Sequence, residues 1–353
     1  MTRIQTLDGW RGIAILLVIV NHAVSYGSHV GAFWAGLGGS GVDIFFVLSG
    51  YIITMRLLVE HAKSSRIDLR SFYIRRAFRI LPLVVLYLLT LCLISLAVDL
   101  LDFHKSEVLT SLLFLRNYQV WLRPGGVYTA HLWSLAIEEH FYLMWPGILV
   151  WLGRKWAGWA AIAGAIACAA WRRYDYLTGI TRHLSFIHPS GTTFPIRTDV
   201  RLDGLLLGAA LAILLAHPRV RENVFERLPR NLALPLAALA LLSVRYSHLL
   251  PSFSTNILIA AMLAATVFSQ RGAVHNLLNS RVLVWIGQIS YSLYIWQQLF
   301  LLRPFPEAVP LGRVNLLPLS LVCAFAAASC SYYFFEKPLV TFGRQLGSTG
   351  RSR

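Results

Sequence analysis

Long apolar stretches separated by short polar segments dominate the chain. Each stretch is roughly 16 to 24 residues long, and a helix needs about 20 residues to span a bilayer. The pattern therefore predicts an all-α, polytopic integral membrane bundle of about ten transmembrane helices. The stretches cover residues 12–28, 41–59, 80–101, 132–152, 157–172, 199–216, 230–247, 254–270, 283–303 and 314–335.

Two regions fit this pattern less well than the others. Residues 157–172 are short for a span and rich in alanine. Residues 104–120 are a candidate for an additional, re-entrant segment. The basic residues test the count of spans, because cytoplasmic connections carry an excess of Lys and Arg. Most of the 32 basic residues fall in connections that are cytoplasmic if both termini are inside, which favours an even number of spans.

The ends of the chain carry two further expectations. The transmembrane domain covers residues 1–343, and residues 344–353 are expected to form a short, frayed, basic cytoplasmic tail. The first apolar stretch resembles a signal peptide, but no small-x-small cleavage site follows closely, so we expect it to be retained. No internal repeat or second, soluble domain is visible in the sequence.

The composition agrees with a membrane protein and excludes a nucleic-acid-binding one. Of the 353 residues, 56% are hydrophobic and 14% are charged, and the mean hydropathy is +0.59. The net charge of +16 lies between apolar stretches and not along one polar face, as nucleic-acid binding would need. The four cysteines lie within apolar stretches and imply no disulfide framework. His183 and His188 have no further ligands at metal spacing, so we expect no metal.

His22 is the most unusual residue of the first apolar stretch, because ionisable groups are costly at membrane depth. Arg11 precedes it by eleven positions. In a helix, eleven steps of about 100° come within about 20° of three full turns. The two side chains then share one face, roughly 16 Å apart along the axis. The pair predicts one charge near the inner surface and one titratable base near the midplane.

Three arginines cluster in segment 71–82, before the third apolar stretch. A helix would bring Arg75, Arg76 and Arg79 together, because their spacings are i,i+3 and i,i+4. One interpretation is a cytoplasmic anchor that touches anionic lipid headgroups. The other is an anion site for a phosphorylated donor arriving from the cytoplasm, since Arg grips phosphate through two parallel hydrogen bonds.

Two histidines and two adjacent acids interrupt segment 131–146, at the entrance of the fourth stretch. His131, Glu138 and Tyr142 share one helical face, whereas Glu139 is offset by about 100°. One interpretation is a structural carboxylate–arginine pair that ties helices together. The other is a carboxylate that orients and polarises a catalytic histidine, with His131 near the acceptor.

Charges of both signs alternate in segment 197–208. Its arginines are spaced i,i+4, and so are its aspartates. Arg201 and Asp203 therefore belong either to a solvated, mutually paired helix end or to a substrate site. Gly204 and Gly208 form a small-xxx-small pair, which is typical of close helix packing.

Three other features carry weaker signals. Asp43 is a single acid near the outer surface, and it is included among the substrate-binding candidates. The aromatic segments 290–297 and 331–338 are typical of packing and of interfacial anchors. Glu336 and Lys337 are expected at the level of the lipid headgroups.

The first apolar stretch, LDGWRGIAILLVIVNHA with Arg11 and His22 separated by ten residues, resembles the first-helix motif of the acyltransferase-3 family of membrane proteins. Six further segments resemble that family in order, so that the resemblance covers nearly the whole chain. They are GVDIFFVLSGYII, FYIRRAFRILP, HLWSLAIEEHFYLMWP, RTDVRLDGLLLG, IGQISYSLYIWQ and YYFFEKP.

The resemblance implies a bacterial inner-membrane O-acyltransferase. Family members usually move an acyl group, often acetyl from a cytoplasmic coenzyme A thioester, to a hydroxyl on a sugar. The chain departs from the family at Gln297, where members often carry a histidine. The residues that match family elements are the essential pair Arg11 and His22, the R-x-x-R residues Arg76 and Arg79, and the acidic pair Glu138 and Glu139.

The predicted function is a membrane O-acyltransferase with acyl-CoA as donor and a carbohydrate or glycoside as acceptor, with membrane lipids as further partners and no nucleic acid. His22 is the candidate general base. A covalent acyl-His22 intermediate is the competing path. A transporter or flippase is the alternative function, although no inverted repeat is evident. The other candidates are Arg11, Glu138 and Glu139 for catalysis, Arg75, Arg76 and Arg79 for the donor, and His131, Asp43, Tyr142, Arg201 and Asp203 for the substrate.

Overall fold

The structure is a computed structural model that describes residues 4–23, 29–97, 105–119, 126–181, 196–223, 229, 232–245, 252–267, 272–301 and 312–349. All regular elements among these residues are helical, so the predicted all-α class is confirmed. The helices are α1 (Gln5–Ala23), α2 (His29–Ser64), α3 (Leu69–Ala97), α4 (Lys105–Leu112), α5 (Arg116–Gln119), α6 (Leu132–Thr178), α7 (Thr198–Arg201), α8 (Asp203–Leu215), α9 (Pro218–Asn223), α10 (Ala233–Arg245), α11 (Ser252–Val267), α12 (Ala273–Leu278), α13 (Arg281–Gln288), α14 (Ser290–Phe300), α15 (Leu319–Ser331) and α16 (Lys337–Thr349).

Three helical stretches in the described part of the chain are long and apolar enough to cross a membrane. They are Leu37–Ser64, Leu69–Ala97 and Leu319–Gly347, the last of which contains a π-helical turn at Tyr332–Glu336. Shorter apolar helices cover Asp203–Leu215 and Phe253–Val267. The protein is therefore an integral membrane protein. The total of about ten spans and the cytoplasmic position of both termini stay predictions.

Two of the differences between the helix boundaries and the predicted stretches concern the regions that fitted the pattern least well. The stretches 132–152 and 157–172 lie in one helical element, α6, which breaks at Gly153 with a φ of 70°. Glycine adopts this left-handed backbone without steric cost, so the break falls between the two stretches. The weakly predicted segment 104–120 contains α4 and α5, which have eight and four residues.

The C-terminal segment is helical for longer than predicted. Residues 344–349 continue α16, so the expectation of a frayed tail is wrong for them. The physical reason is packing, because the Ser71 hydroxyl donates to the carbonyl of Gly347 at 2.6 Å and fastens this helix to α3. Residues 350–353 lie outside the described residues, as do His183 and His188.

The chain divides into two compact units, and unit 1 consists of Met1–Ile67, His140–Ile180 and Arg197–Ser290. Its helices α2 and α8 approach so closely that glycine is required at the contact. A Cβ on Gly50 would lie 1.9 Å from the carbonyl oxygen of Leu205, and one on Gly208 would lie 2.0 Å from that of Val47. The close packing predicted at Gly208 is confirmed.

Unit 2 consists of Asp68–Glu139, Thr181–Ile196 and Tyr291–Arg353. Near its N-terminus α3 packs on α16, where the rings of Phe78 and Phe342 meet edge to face with centroids 5.5 Å apart. Towards the C-terminus of α3, Leu89, Leu93 and Leu96 are 56%, 67% and 85% exposed. An apolar helix face that none of the described residues covers is typical of a surface in contact with lipid tails.

Candidate functional site

Arg11 and His22 both lie in α1, so the predicted helix and its spacing are confirmed. The two positions are roughly 16 Å apart along the axis. Both side chains are half-buried, and Nδ1 of His22 is shielded from solvent. Gly38 of α2 lies against this end of α1, since a Cβ on Gly38 would lie 2.1 Å from the Cβ of Asn21. Asn21, the residue before His22, is therefore tightly packed against α2.

A buried cluster of charges in unit 1 surrounds Asp203, which is 1% exposed. Arg172 donates to both of its carboxylate oxygens, at 3.0 and 2.9 Å, and Asn256 donates to Oδ2 at 3.1 Å. Beside them, Nη2 of Arg201 donates to Oδ1 of Asp43 at 2.9 Å. We call these five residues the Asp203 cluster. Each of its charges has a partner of opposite sign inside the fold.

Three predicted substrate-binding residues, Asp43, Arg201 and Asp203, therefore bind other side chains of the protein. The interpretation as a solvated helix end is wrong for Asp203, which is buried and bound by Arg172 of α6. Arg201 is half-buried and binds Asp43 of α2. Mutual pairing within the segment is confirmed for Arg197 and Asp199. Burial works to lower the pKa of Arg197, but hydrogen bonds and charges of neighbouring aspartates raise it above its usual value. The role of these residues toward a substrate stays a prediction.

Arg76 binds both members of the acidic pair in unit 2. Its Nε donates to Oε1 of Glu139 at 3.4 Å, and its Nη2 lies 3.8 Å from Oε2 of Glu138. The three side chains are only 14%, 17% and 16% exposed, in that order. The interpretation as a carboxylate–arginine pair that joins two helices is confirmed. An action of these acids on His22 stays a prediction.

Arg75 and Arg79 share the N-terminal part of α3 with Arg76, and all three are half-buried. The predicted clustering of arginines on a helix is thus confirmed. Arg79 lies close enough to Glu139 and to Tyr291 to act on both electrostatically. Three arginines within five residues of one helix make this part of α3 a candidate anion site.

Residues 126–131, which lead into α6, are fastened through their backbone carbonyls. We call this segment the anchored loop. Side chains from three different parts of unit 2 donate hydrogen bonds to it, so its backbone is fixed from several directions. The bonds run from Arg116 Nη2 to the carbonyl of Gly126 at 2.8 Å, from Gln298 Nε2 to that of Val127 at 2.7 Å, from the Tyr87 hydroxyl to that of Tyr128 at 2.7 Å, and from the Tyr294 hydroxyl to that of His131.

The anchored loop places His131 among aromatic rings. His131 is 4% exposed, and the centroid of its imidazole ring lies 5.6 Å from that of the Tyr87 ring and 5.3 Å from that of the Tyr294 ring. The Tyr294 hydroxyl also shares a hydrogen bond of 2.7 Å with Ser134. His131 is thus held by its own backbone and by rings on two sides. Its predicted contact with the acceptor stays a prediction.

The stripe predicted for His131, Glu138 and Tyr142 is divided between the two units. Tyr142 belongs to unit 1, is 2% exposed, and lies with its ring centroid 6.0 Å from that of Phe141. The second histidine of the segment, His140, also belongs to unit 1 and has its Nδ1 2.7 Å from the Thr198 hydroxyl. A role of Tyr142 in binding substrate stays a prediction.

A buried ion pair that was not predicted lies next to the anchored loop. Arg116 is 2% exposed, and its Nη2 lies 3.7 Å from Oε2 of Glu107, which also accepts a hydrogen bond of 2.9 Å from Thr129. Burial lowers the pKa of Arg116, although Glu107 opposes that shift. The available signal was a pair of charges, Glu107 and Arg116, in the weakly predicted segment 104–120.

The packing predicted for segment 290–297 is confirmed, and its position at the membrane interface stays a prediction. The Tyr291 hydroxyl donates to the carbonyl of Ile80 at 2.8 Å, and the Ser292 hydroxyl donates to Oε2 of Glu336 at 2.7 Å. Glu336 is 7% exposed, whereas Lys337 is exposed, and the predicted headgroup level of both stays a prediction. These hydroxyls bind groups inside unit 2 because polar atoms buried in a bundle need internal partners.

Comparison with known proteins identifies the family. The acyltransferase-3 family model, which describes an acyltransferase domain, matches residues 4–335. The chain belongs to this family. It is similar to the peptidoglycan O-acetyltransferase OatA of Listeria monocytogenes serovar 1/2a, with 26% identity over 367 residues that cover 95% of this chain and 56% of OatA.

A second relative is YrhL of Bacillus subtilis strain 168, whose name gives peptidoglycan O-acetyltransferase as a provisional assignment. It is 31% identical over 368 residues, which cover 96% of this chain and 55% of YrhL. The chain thus spans little more than half the length of these relatives. No solved structure matches it at a significant level.

Proposed function

We propose that this protein is an O-acyltransferase that moves an acyl group, acetyl in the simplest case, from a coenzyme A thioester to a hydroxyl of a carbohydrate or glycoside. The observation that carries the proposal is the family match over residues 4–335, with Arg11 and His22 on one described helix. The names of the relatives refer to O-acetyl transfer and to peptidoglycan, a polymer with free sugar hydroxyls. A bacterial inner membrane, with both termini cytoplasmic, is the location that goes with this function.

In the proposed reaction His22 acts as the general base. A nitrogen of its neutral imidazole takes the proton of the acceptor hydroxyl while the hydroxyl oxygen bonds to the thioester carbonyl carbon. The carbon–sulfur bond then breaks, and the leaving thiolate receives the proton from the imidazolium. The products are an ester and a free thiol, and the imidazole returns to its neutral form.

Arg11 has a separate task in this proposal. It lies roughly 16 Å along α1 from His22, which is too far for its guanidinium to bind the same reacting atoms. We assign it to the donor, or to holding the cytoplasmic end of the bundle. Its positive charge suits phosphate groups of coenzyme A at that end.

The arginines of unit 2 are the other proposed contacts of the donor phosphates. We assign Arg76 and Arg79 to phosphate, with Arg75 helping, and Arg76 also binds Glu138 and Glu139. The contact of the two acids with Arg76 supports a positioning role for them, because it fixes the guanidinium in one direction. Acceptor binding by His131, and the predicted contacts of Tyr142 and the Asp203 cluster with substrate, remain part of the proposal.

The experiment uses purified protein in detergent, labelled acetyl-CoA as donor and a soluble oligomer of N-acetylglucosamine as acceptor. General-base help is typically worth about 10²–10⁴-fold, so His22→Ala should lose acceptor-dependent release of coenzyme A by about that factor. The matched control is His61→Ala, because His61 is an exposed histidine of α2. Transfer by His22→Ala at the wild-type rate would reject His22 as the base.

A second pair of variants tests the donor site. Arg79→Ala should raise the KM for acetyl-CoA by roughly tenfold, because it removes a charge-assisted bond to phosphate, with the KM for the acceptor unchanged. The control is Arg154→Ala, which changes an exposed arginine of α6. An equal change in both variants would show that only the general positive charge matters.

A further inference from the structure

Two adjacent glutamines in α14 are buried without a full set of hydrogen bonds. Gln297 is 0% exposed, and neither Oε1 nor Nε2 of its side chain has a hydrogen-bond partner among the residues described. Gln298 is 5% exposed; its Nε2 donates to the carbonyl of Val127, while its Oε1 has no partner in the described part of the chain. Buried amide groups are nearly always bonded, so open donors and acceptors at one place need an explanation.

The helix cannot turn to satisfy Gln297, because the residues around it are already fastened. Tyr294, one turn earlier, donates to the carbonyl of His131. Trp296 donates from Nε1 to the Ser331 hydroxyl at 2.9 Å, and Gln298 is bonded to the anchored loop. Rotating α14 to offer Gln297 a partner would break these bonds. The fold therefore holds the open amide in place.

The surroundings of Gln297 on its helix are apolar and uncharged. Leu293 and Leu301, four residues before and after it, are 0% and 2% exposed. Residues four apart lie on one face of a helix, so the amide is a single polar group between two buried leucines. An uncharged group with one donor side and one acceptor side matches a ligand that also both donates and accepts without charge. Hydroxyl and amide groups have this property.

The glutamines also lie away from the arginine cluster. Tyr291 is the second residue of the same helix and lies within electrostatic range of Arg76 and Arg79. Gln297 is six residues further on, which is roughly 9 Å along the helix axis. A phosphate held by the arginines and a neutral group held by Gln297 would thus occupy different levels of unit 2.

We propose that Gln297 binds the acyl acceptor, donating from Nε2 to a sugar oxygen and accepting at Oε1 from a sugar hydroxyl or N-acetyl N–H. This inference rests on the proposed function, because it names the part of unit 2 that recognises the carbohydrate. The amide groups in the pantetheine arm of coenzyme A have the same hydrogen-bonding chemistry. The experiment therefore measures the two substrates separately.

The variants are Gln297→Leu, which keeps most of the volume and removes both polar atoms, and Gln297→Glu, which keeps the shape and replaces the donor by an acceptor. The matched control is Ser320→Ala, since Ser320 is 1% exposed and its hydroxyl has no partner among the described residues. With acetyl-CoA and the N-acetylglucosamine oligomer, Gln297→Leu should raise the KM for the oligomer at least tenfold. The KM for acetyl-CoA should stay within twofold for every variant.

A second measurement does not depend on activity. The oligomer, added without donor, should raise the thermal unfolding temperature of the wild type and of Ser320→Ala, but not that of Gln297→Leu. In the absence of oligomer Gln297→Leu should unfold at the wild-type temperature or above it, because an unbonded buried amide is replaced by an apolar group of similar shape. This result would also show that the variant is folded.

Two results would overturn the inference. A raised KM for acetyl-CoA in Gln297→Leu, with the oligomer unaffected, would assign the amide to the donor. Wild-type kinetics and an undiminished thermal shift in that variant would show that the amide binds no substrate and holds only water. Failure of the proposed function is distinguishable, because the wild type would then give no oligomer-dependent release of coenzyme A or would equal His22→Ala.

Discussion

The Asp203 cluster of unit 1 and the glutamines of α14 in unit 2 are both buried polar groups in a membrane protein. They differ in how far their hydrogen-bonding groups are paired. In the cluster, Arg172 grips Asp203 with two bonds, and Arg201 binds Asp43. In α14, Gln297 keeps both polar atoms open among the residues described. The first region closes its charges within the fold, and the second leaves hydrogen-bonding capacity unused.

This difference indicates that the Asp203 cluster stabilises the fold, whereas Gln297 is suited to binding a ligand. An unpaired buried charge is far more costly than an unpaired amide, so a fold tolerates the second much better than the first. Side chains whose charges and hydrogen bonds are paired with one another hold helices together. They have few unpaired donors or acceptors with which to bind a ligand. A neutral amide held open by its neighbours can bind a substrate without a large loss of stability. The sign of the response to an apolar substitution should therefore differ between the two regions.

Arg172→Leu should have the largest effect on stability and tests the first half of this comparison. It leaves the Asp203 carboxylate buried without its main partner, which typically costs about 3–5 kcal/mol. Thermal and denaturant unfolding of purified protein in detergent would measure the loss. The double variant Arg172→Leu/Asp203→Leu should recover much of it, because no buried charge remains. An unchanged free energy of unfolding in the single variant would contradict the stabilising role of the Asp203 cluster.

Arg76→Gln tests an intermediate case in unit 2. The acids that it would leave behind, Glu138 and Glu139, are partly exposed, so the expected loss of about 2 kcal/mol is smaller than at a fully buried pair. The same unfolding assay applies. Adding Glu139→Gln should restore part of the stability by removing one of the two adjacent charges. A loss as large as that of Arg172→Leu would mean that exposure does not separate the two regions.

Tyr87→Phe sharpens the comparison within unit 2 by loosening the anchored loop. It removes the hydroxyl that donates to the carbonyl of Tyr128, and one such bond is worth about 1 kcal/mol. We expect that loss in unfolding experiments, together with weaker acceptor binding because the loop carries His131 and binds Gln298. Tyr176→Phe is the control, since Tyr176 is 63% exposed. Equal effects in both variants would contradict a special role of the loop.

Glu222→Ala sets the lower limit of the series. Nη2 of Arg221 lies 3.7 Å from Oε1 of Glu222, and these two side chains are 46% and 58% exposed. Exposed ion pairs contribute little, so unfolding should change by less than about 0.5 kcal/mol. A larger loss here would show that charge pairs matter regardless of burial, and it would remove the basis for contrasting the two regions.

Much of the fold and part of the site followed from the sequence. The apolar stretches predicted helices, and the spacing of Arg11 and His22 placed both on one of them, as α1 shows. The arginines of segment 71–82 were predicted to cluster, and they do so on α3. The pairing of the acids with an arginine was one of two alternatives, and only the coordinates identified Arg76 as the partner. The partners of the hydroxyls of 290–297 were not predicted, because aromatic composition does not tell which group a tyrosine meets.

The residue pattern was enough to establish that the protein is helical, enters the membrane, belongs to the acyltransferase-3 family, and carries His22 on the same helix as Arg11. Only the tertiary structure decided that Arg201 meets Asp43, 158 positions away, that four side chains fasten the anchored loop, and that Gln297 is left open. The physical reason is that helical periodicity fixes the direction of a side chain around its own axis. Which helix lies opposite, and whether it offers a hydrogen-bond partner, depends on packing between segments distant in the chain.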